Sequence, residues 1–222
     1  MKRKEVMELQ KREAIEAFIG KDIGTYTEEK LGRDWRIVLE EKRITPYVKN
    51  LIMNSKYFRS QCKSRGEVEM VELLIYSRLI ECRLMDKWGG RVKLNGTDKE
   101  KLISEVSGYN PDLVDTSKGE NWYYEVISTF NGCFMVNSGI FVREGKIKFL
   151  TKFARNNNLN IVAVDVLARR FCFIPVYDNI DEMGNVTKGP YGYRIDIKDA
   201  DWFSLDEADL VVDAYGIGRY YG

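Results

Sequence analysis

Apolar and polar positions along this chain repeat at two spacings, and the change from one to the other divides it. From Lys4 to Ile19, Val6, Met7, Leu9, Ala14, Ile15, Ala17 and Phe18 recur near the 3.6-residue period with Gly20 as the stop, so a helix is expected. A second helix is expected from a cap at Thr27 through Trp35, Ile37, Val38 and Leu39. A third starts at Thr45-Pro46, where threonine caps and proline fits the first turn, and it carries Tyr47, Val48, Leu51, Ile52 and Tyr57. Ser64 to Trp88 is apolar on nearly every side, which predicts a long buried helix closed by Gly89-Gly90.

Beyond that helix the period shortens. Arg91 to Leu94 alternates as a strand before an Asn95-Gly96 turn, and Asp98 to Val106 reads as a short helix. Leu113-Val114 and Trp122 to Thr129 follow as two strands joined by a turn over Thr116 to Asn121. Gly132 to Asn137 is a loop or short strand, and Gly139 to Val142 leads to Gly145. Lys146 to Asn156 forms an amphipathic helix with Ile147, Leu150 and Ala154 on one face and Lys148, Lys152 and Arg155 on another. The continuous apolar runs Asn160–Val166 and Arg170–Val176 suit strands covered on both faces. After Asp178, Tyr193 to Ile197 alternates as an edge strand, and Ser204 to Asp213 is expected to form an acidic helix. Tyr220 and Tyr221 close the chain as base-stacking or dimer-contact residues, or as a frayed end. Three segments result: a helical region 1–63, an α/β core 64–177 and an extension 178–222.

Two carboxylates stand out in this layout. Asn110-Pro111-Asp112 puts an acid where a short strand begins, and Glu125 lies inside the next strand. A hairpin carrying two acids suits a divalent metal, because Mg²⁺ takes about six oxygen ligands, commonly one or two carboxylates completed by water and phosphate. Two further acids, Glu67 and Glu69, head the long helix. Ser64-Arg65-Gly66-Glu67 has capping-box spacing, which gives Glu67 a structural role and leaves Glu69 the preferred functional acid.

Pro111-Asp112 followed by Glu125-Val126-Ile127 resembles the PD-(D/E)XK nucleases, a superfamily that includes restriction enzymes, Holliday-junction resolvases and viral cap-snatching endonucleases. The order helix, strand, acid strand, acid strand, helix, strand, strand over roughly Ser64 to Tyr177 is similar to that family's core. The resemblance implies an α/β fold with a restriction-endonuclease-like core, a central mixed β-sheet flanked by helices, plus the helical amino-terminal region. It also implies Mg²⁺ or Mn²⁺ held by Asp112 and Glu125, with Glu69 or Glu67 assisting and the Val126 backbone carbonyl as a further ligand. One position departs from the pattern, since the family's lysine two residues after the second acid is Ile127 here. In some members the following helix supplies that ammonium. Lys152 is the candidate by this resemblance, with Lys146 and Lys148 behind it. The implied activity is metal-dependent hydrolysis of phosphodiester bonds in DNA, by a homodimer in many such enzymes. The alternatives are an RNA endonuclease of the cap-snatching type, a catalytically inactive nucleic-acid-binding module, and an unrelated small α/β protein whose two acids lie on its surface.

Composition narrows the chemistry further. There is no histidine in 222 residues, which excludes Ser-His-Asp and Cys-His catalysis and His-ligated zinc. Cys62, Cys82, Cys133 and Cys172 form no CxxC pair, so buried thiols are expected. Net charge is +1, unevenly spread: Met1 to Arg65 has 16 Lys+Arg against 10 Asp+Glu, whereas Asp178 to Gly222 has 4 against 10. The amino-terminal end therefore suits phosphate, unless its charges are simply solvated. No apolar run approaches the roughly 20 residues of a membrane span, and the basic start leads into an amphipathic pattern unlike a signal peptide. A cytoplasmic protein without membrane partners, of cellular, viral or phage origin, is expected.

Overall fold

The computed structural model describes residues 3–53, 59, 62–63, 65–88, 93–94, 111–115, 121–129, 139–165, 168–184 and 186–207. The protein is a mixed α/β fold with six α-helices and two β-sheets among these residues. Its contacts divide into two compact units, residues 1–83 and 84–222.

The first unit is helical. Helix α1 spans Arg3–Ile19, α2 Ile23–Leu31, α3 Arg33–Glu41 and α4 Pro46–Met53, and α5 (Glu67–Trp88) begins here. Where one helix was expected from Thr27 to Leu39, there are two. Asp22 caps α2 by accepting the Thr25 N–H at 2.8 Å, while Thr27 sits buried within the helix with its hydroxyl donating to the Ile23 carbonyl. Gly32, at φ +100°, ends α2 and starts α3, a conformation that no continuing helix adopts. A second left-handed glycine, Gly66 at φ +91°, precedes α5. The helix therefore starts at Glu67, so Glu67 stands at its first position and not at the third position of a Ser64-capped box. Ser64 itself lies outside the described residues. Ile15, Ile19, Ile23, Tyr26, Val38, Val48, Val71, Ile75, Leu79 and Ile80 form the buried interior of this unit.

The second unit is built on a six-stranded sheet in the order β1-β2-β3-β5-β6-β9: Lys93–Leu94, Leu113–Asp115, Trp122–Thr129, Asn158–Asp165, Arg170–Pro175 and Phe203–Ser204. Strands β3 and β5 are parallel and every other pairing is antiparallel, so the sheet is mixed. Parallel neighbours need a crossover. This one passes through β4 (Gly139–Arg143) and α6 (Glu144–Ala154). Ile147, Leu150 and Phe153 of α6 pack with Tyr123, Leu159, Ile161, Ala163, Cys172 and Ile174 of the sheet, and the continuous apolar run of β5 is buried on both faces as expected.

A three-stranded antiparallel sheet, β4-β8-β7, adds Ile140, Val142 and Ile195 to the same core, with β7 at Val186–Gly189 and β8 at Gly192–Asp196. The strand expected at an edge is thus the central one of this sheet. Gly192 allows it: a Cβ there would lie 2.2 Å from the Val142 carbonyl oxygen. Residues after Asp178 are woven into the unit, since β8 pairs with β4 and β9 with β6. In place of an acidic helix from Ser204, β9 is followed by a short 3₁₀ turn at Leu205–Glu207. The expected helix at 98–106, the segment 132–137, Cys133, Tyr220 and Tyr221 lie outside the described residues. No helix among the described residues is long and apolar enough to cross a membrane.

Candidate functional site

Strands β2 and β3 pair as the antiparallel hairpin that the sequence predicts, with Leu113 opposite Tyr124 and Val114 opposite Tyr123. Continued by one residue, this register sets Asp112 opposite Glu125. The two acids are therefore brought next to each other at the start of β2.

A hydrogen bond fixes Asp112. Its Oδ2 accepts the Val126 N–H at 2.8 Å, so the side chain takes a position that the main-chain ladder would otherwise fill. A strand residue directs its N–H and C=O toward the same neighbour. The Val126 carbonyl thus also faces the β2 side, where the next residue, Pro111, has no N–H to donate. The Val126 carbonyl and the Asp112 carboxylate therefore meet at the start of β2, next to Glu125 in the chain.

Glu125 is only 4% exposed. Its strand neighbours Tyr123 and Ile127 and its cross-strand partner Ile161 make an apolar surround, in which an isolated carboxylate is strongly disfavoured. The compensation comes from α6: the Lys146 ammonium donates to Glu125 Oε1, and both side chains are largely removed from solvent. Asp112 is half-buried, and Ile127 packs against the apolar cluster.

The lysine at Glu125 is therefore Lys146. Lys152 is exposed near the carboxy-terminal end of the same helix, and Lys148 is exposed and paired with Glu144 at 2.9 Å. The sequence held a signal for this. Lys146 falls on the stripe Lys146, Leu150, Phe153, Ala154, spaced i, i+4, i+7, i+8, whereas Lys148 and Lys152 fall on the opposite side. A lysine within an apolar stripe needs a buried acid across from it.

Glu67 and Glu69 are half-buried in the first turn of α5, within the first unit, and no role beside Asp112 and Glu125 is assigned to them. Among the described residues no group of three or more His, Cys, Asp or Glu side chains is gathered as a metal cage. Asp165, the other buried acid among the described residues of the second unit, is 2% exposed and opposes Arg170 across β5 and β6. Its Oδ1 accepts the Ala168 N–H at 3.1 Å, and the Arg170 guanidinium lies 4.1 Å from the Trp202 ring centroid. No protein-family model matches the chain, and comparison with curated proteins finds no match.

Proposed function

We propose that this protein is a metal-dependent endonuclease that hydrolyses phosphodiester bonds in DNA, with its centre at Asp112, Glu125, the Val126 carbonyl and Lys146. The observation that carries the reading is the bond from the Val126 N–H to Asp112 Oδ2, which holds Asp112 beside the residue that follows Glu125, while Lys146 reaches Glu125 from α6. The donor set fits Mg²⁺ or Mn²⁺: hard oxygen atoms, no sulfur or imidazole, and few enough protein ligands to leave positions for water and substrate phosphate. When bound, such a cation would act as a Lewis acid on the scissile phosphate. The topology of the second unit, with a parallel β3–β5 pair joined through α6, supports the restriction-endonuclease-like core that the motif implies.

The chain's own residues divide the work. Asp112, held through Oδ2 by the Val126 N–H, keeps Oδ1 for the cation. Glu125 supplies the second carboxylate, and the apolar wall of Tyr123, Ile127 and Ile161 behind it keeps that side of the site dry and strengthens every charge interaction there. Lys146 stands where Ile127 cannot serve, as the ammonium that stabilises negative charge building on the phosphate. Its placement on the helix after the second acid also favours a second reading, an RNA endonuclease of the cap-snatching type.

The experiment is cleavage of supercoiled plasmid, linear duplex, a four-way junction and single-stranded RNA in Mg²⁺, Mn²⁺ or EDTA, with Asp112→Ala and Glu125→Ala beside wild type. Metal-dependent cutting lost in both variants is expected, and the preferred substrate separates DNA from RNA. Absence of cutting on every substrate, together with absence of Mn²⁺ binding by calorimetry, overturns the reading in favour of a non-catalytic module. The second unit paired through two-fold symmetry is the assembly that would cut both strands of a duplex.

A further inference from the structure

The second unit carries an open groove of about 570 Å³ lined by Asn121, Ala154, Arg155, Asn156, Asn157 and Asn158. Four of the six lining residues are asparagines, one is arginine, and none is acidic. Asparagine carries two donors and an acceptor at the end of a short side chain, a poor choice for filling space and a good one for reading polar edges. The groove lies where α6 ends and where β3 and β5 begin side by side, Trp122 being paired with Asn158.

Two amides are already aimed. Asn157 donates to the Phe153 carbonyl at 2.8 Å, capping the helix end, and Asn121 donates to the Tyr123 hydroxyl at 3.4 Å. Arg155 is exposed and makes no ion pair among the described residues. The charge balance selects the ligand. The carbonyl oxygens at the end of α6 give this region a negative partial charge, which disfavours a compact polyanion. One guanidinium supplies a single positive charge. A ligand rich in neutral donors and acceptors with one negative charge fits both facts.

A nucleotide unit of a nucleic-acid strand has that make-up. Asparagine pairs in bidentate fashion with the N6 and N7 edge of adenine, and arginine pairs with phosphate oxygens. Volumes of roughly 300–1,000 Å³ accommodate ligands of nucleotide size. Asn121 is four residues before Glu125, about 13 Å along β3 at ~3.3 Å per residue, and α6 covers the sheet between them, so a strand reaching both passes around that helix. We infer that this groove is a flanking subsite that holds one base and its phosphate from the strand engaged at Asp112 and Glu125. The inference rests on the nuclease reading for its ligand and goes beyond it in naming where the strand runs.

The test is fluorescence anisotropy with short labelled single-stranded and duplex oligonucleotides in EDTA, where cutting is absent, across a salt series. The proteins are wild type, Arg155→Ala, Asn156→Ala and Asn121→Ala; Arg155, Asn156 and Asn121 are exposed, and unchanged melting verifies folding. Arg155→Ala is expected to weaken binding about 5- to 10-fold for every sequence and to lower the slope of log K against log salt by about 0.7–0.9. The asparagine variants are expected to leave the slope unchanged and to flatten the preference among adenine-, cytosine- and thymine-rich strands. Wild-type binding with Arg155→Ala equal to it in affinity and slope overturns the groove and leaves the nuclease reading standing. No binding of any oligonucleotide by wild type overturns both.

Discussion

Replacing Lys146 with methionine isolates the ion pair that defines the site. Methionine keeps most of the side chain's length and apolar contact with α6 while removing the charge, so the principal loss is the partner of Glu125. Breaking a buried pair by deleting one member costs about 3–5 kcal/mol, because the other charge is left uncompensated. Glu125 is 5% exposed in its side chain and Lys146 19%, so the pair is not fully withdrawn from water and the lower figure applies, about 3 kcal/mol. At ~3 °C per kcal/mol for a chain of this size, that is roughly 9 °C in Tm. Two companions make the reasoning testable. The double variant Lys146→Met/Glu125→Gln removes both charges and is expected to recover more than half of the loss. Mn²⁺ is expected to raise the Tm of Lys146→Met more than that of wild type, because the cation then neutralises a carboxylate that has lost its lysine. Differential scanning calorimetry measures all three. A Lys146→Met protein as stable as wild type, or a double variant that melts below the single, would show that the pair does not compensate a buried charge and would refute the argument.

Other outcomes follow from the same structure. Asp112→Asn retains an oxygen to accept the Val126 N–H, so it is expected to melt within about 1 kcal/mol of wild type while losing metal-dependent cleavage; Asp112→Ala, which also orphans that N–H, is expected to cost about 1–2 kcal/mol in urea unfolding. Bonds from Thr25 hold the Asp22 carboxyl below its usual value. The cap it forms on α2 is therefore fully present above pH ~4 and lost as pH falls below it; Asp22→Ala should cost about 1 kcal/mol at pH 7, with the difference from wild type shrinking on acidification in urea titrations. Burial pushes the Cys172 thiol up to about 12, so iodoacetamide at neutral pH should leave it unmodified in the native protein and label it on unfolding, as read by mass spectrometry.

Much of this architecture was legible in the side-chain pattern. The hairpin of β2 and β3, the buried strands β5 and β6, and helices α1, α4 and α6 each express a local period that packing then honours. The failures have separate causes. Gly32 interrupts what otherwise reads as one amphipathic helix, and only its backbone angle reveals the break. Strand β8 alternates like an edge strand, but whether its second side is covered depends on β4, some fifty residues earlier in the chain. The lysine is the most instructive case. Counting from the acids favours Lys152 by resemblance, whereas the buried stripe of α6 selects Lys146, because the helix that crosses over between β3 and β5 lays its first turn over the middle of β3.

The crossover that separates β3 from β5 also sets an order of events during synthesis. When Thr129 leaves the ribosome, both acids exist and their hairpin can close, but the inner edge of β3 has no partner until Asp165 has followed, 36 residues later. At the ~5–20 residues per second of translation, that interval lasts roughly 2–7 s. Throughout it, Tyr123, Glu125 and Ile127 present an open hydrogen-bonding edge, and Lys146 has not yet packed against Glu125. A nascent chain at this stage carries the entire motif and none of the site, and its unpaired strand edge is open to wrong pairing.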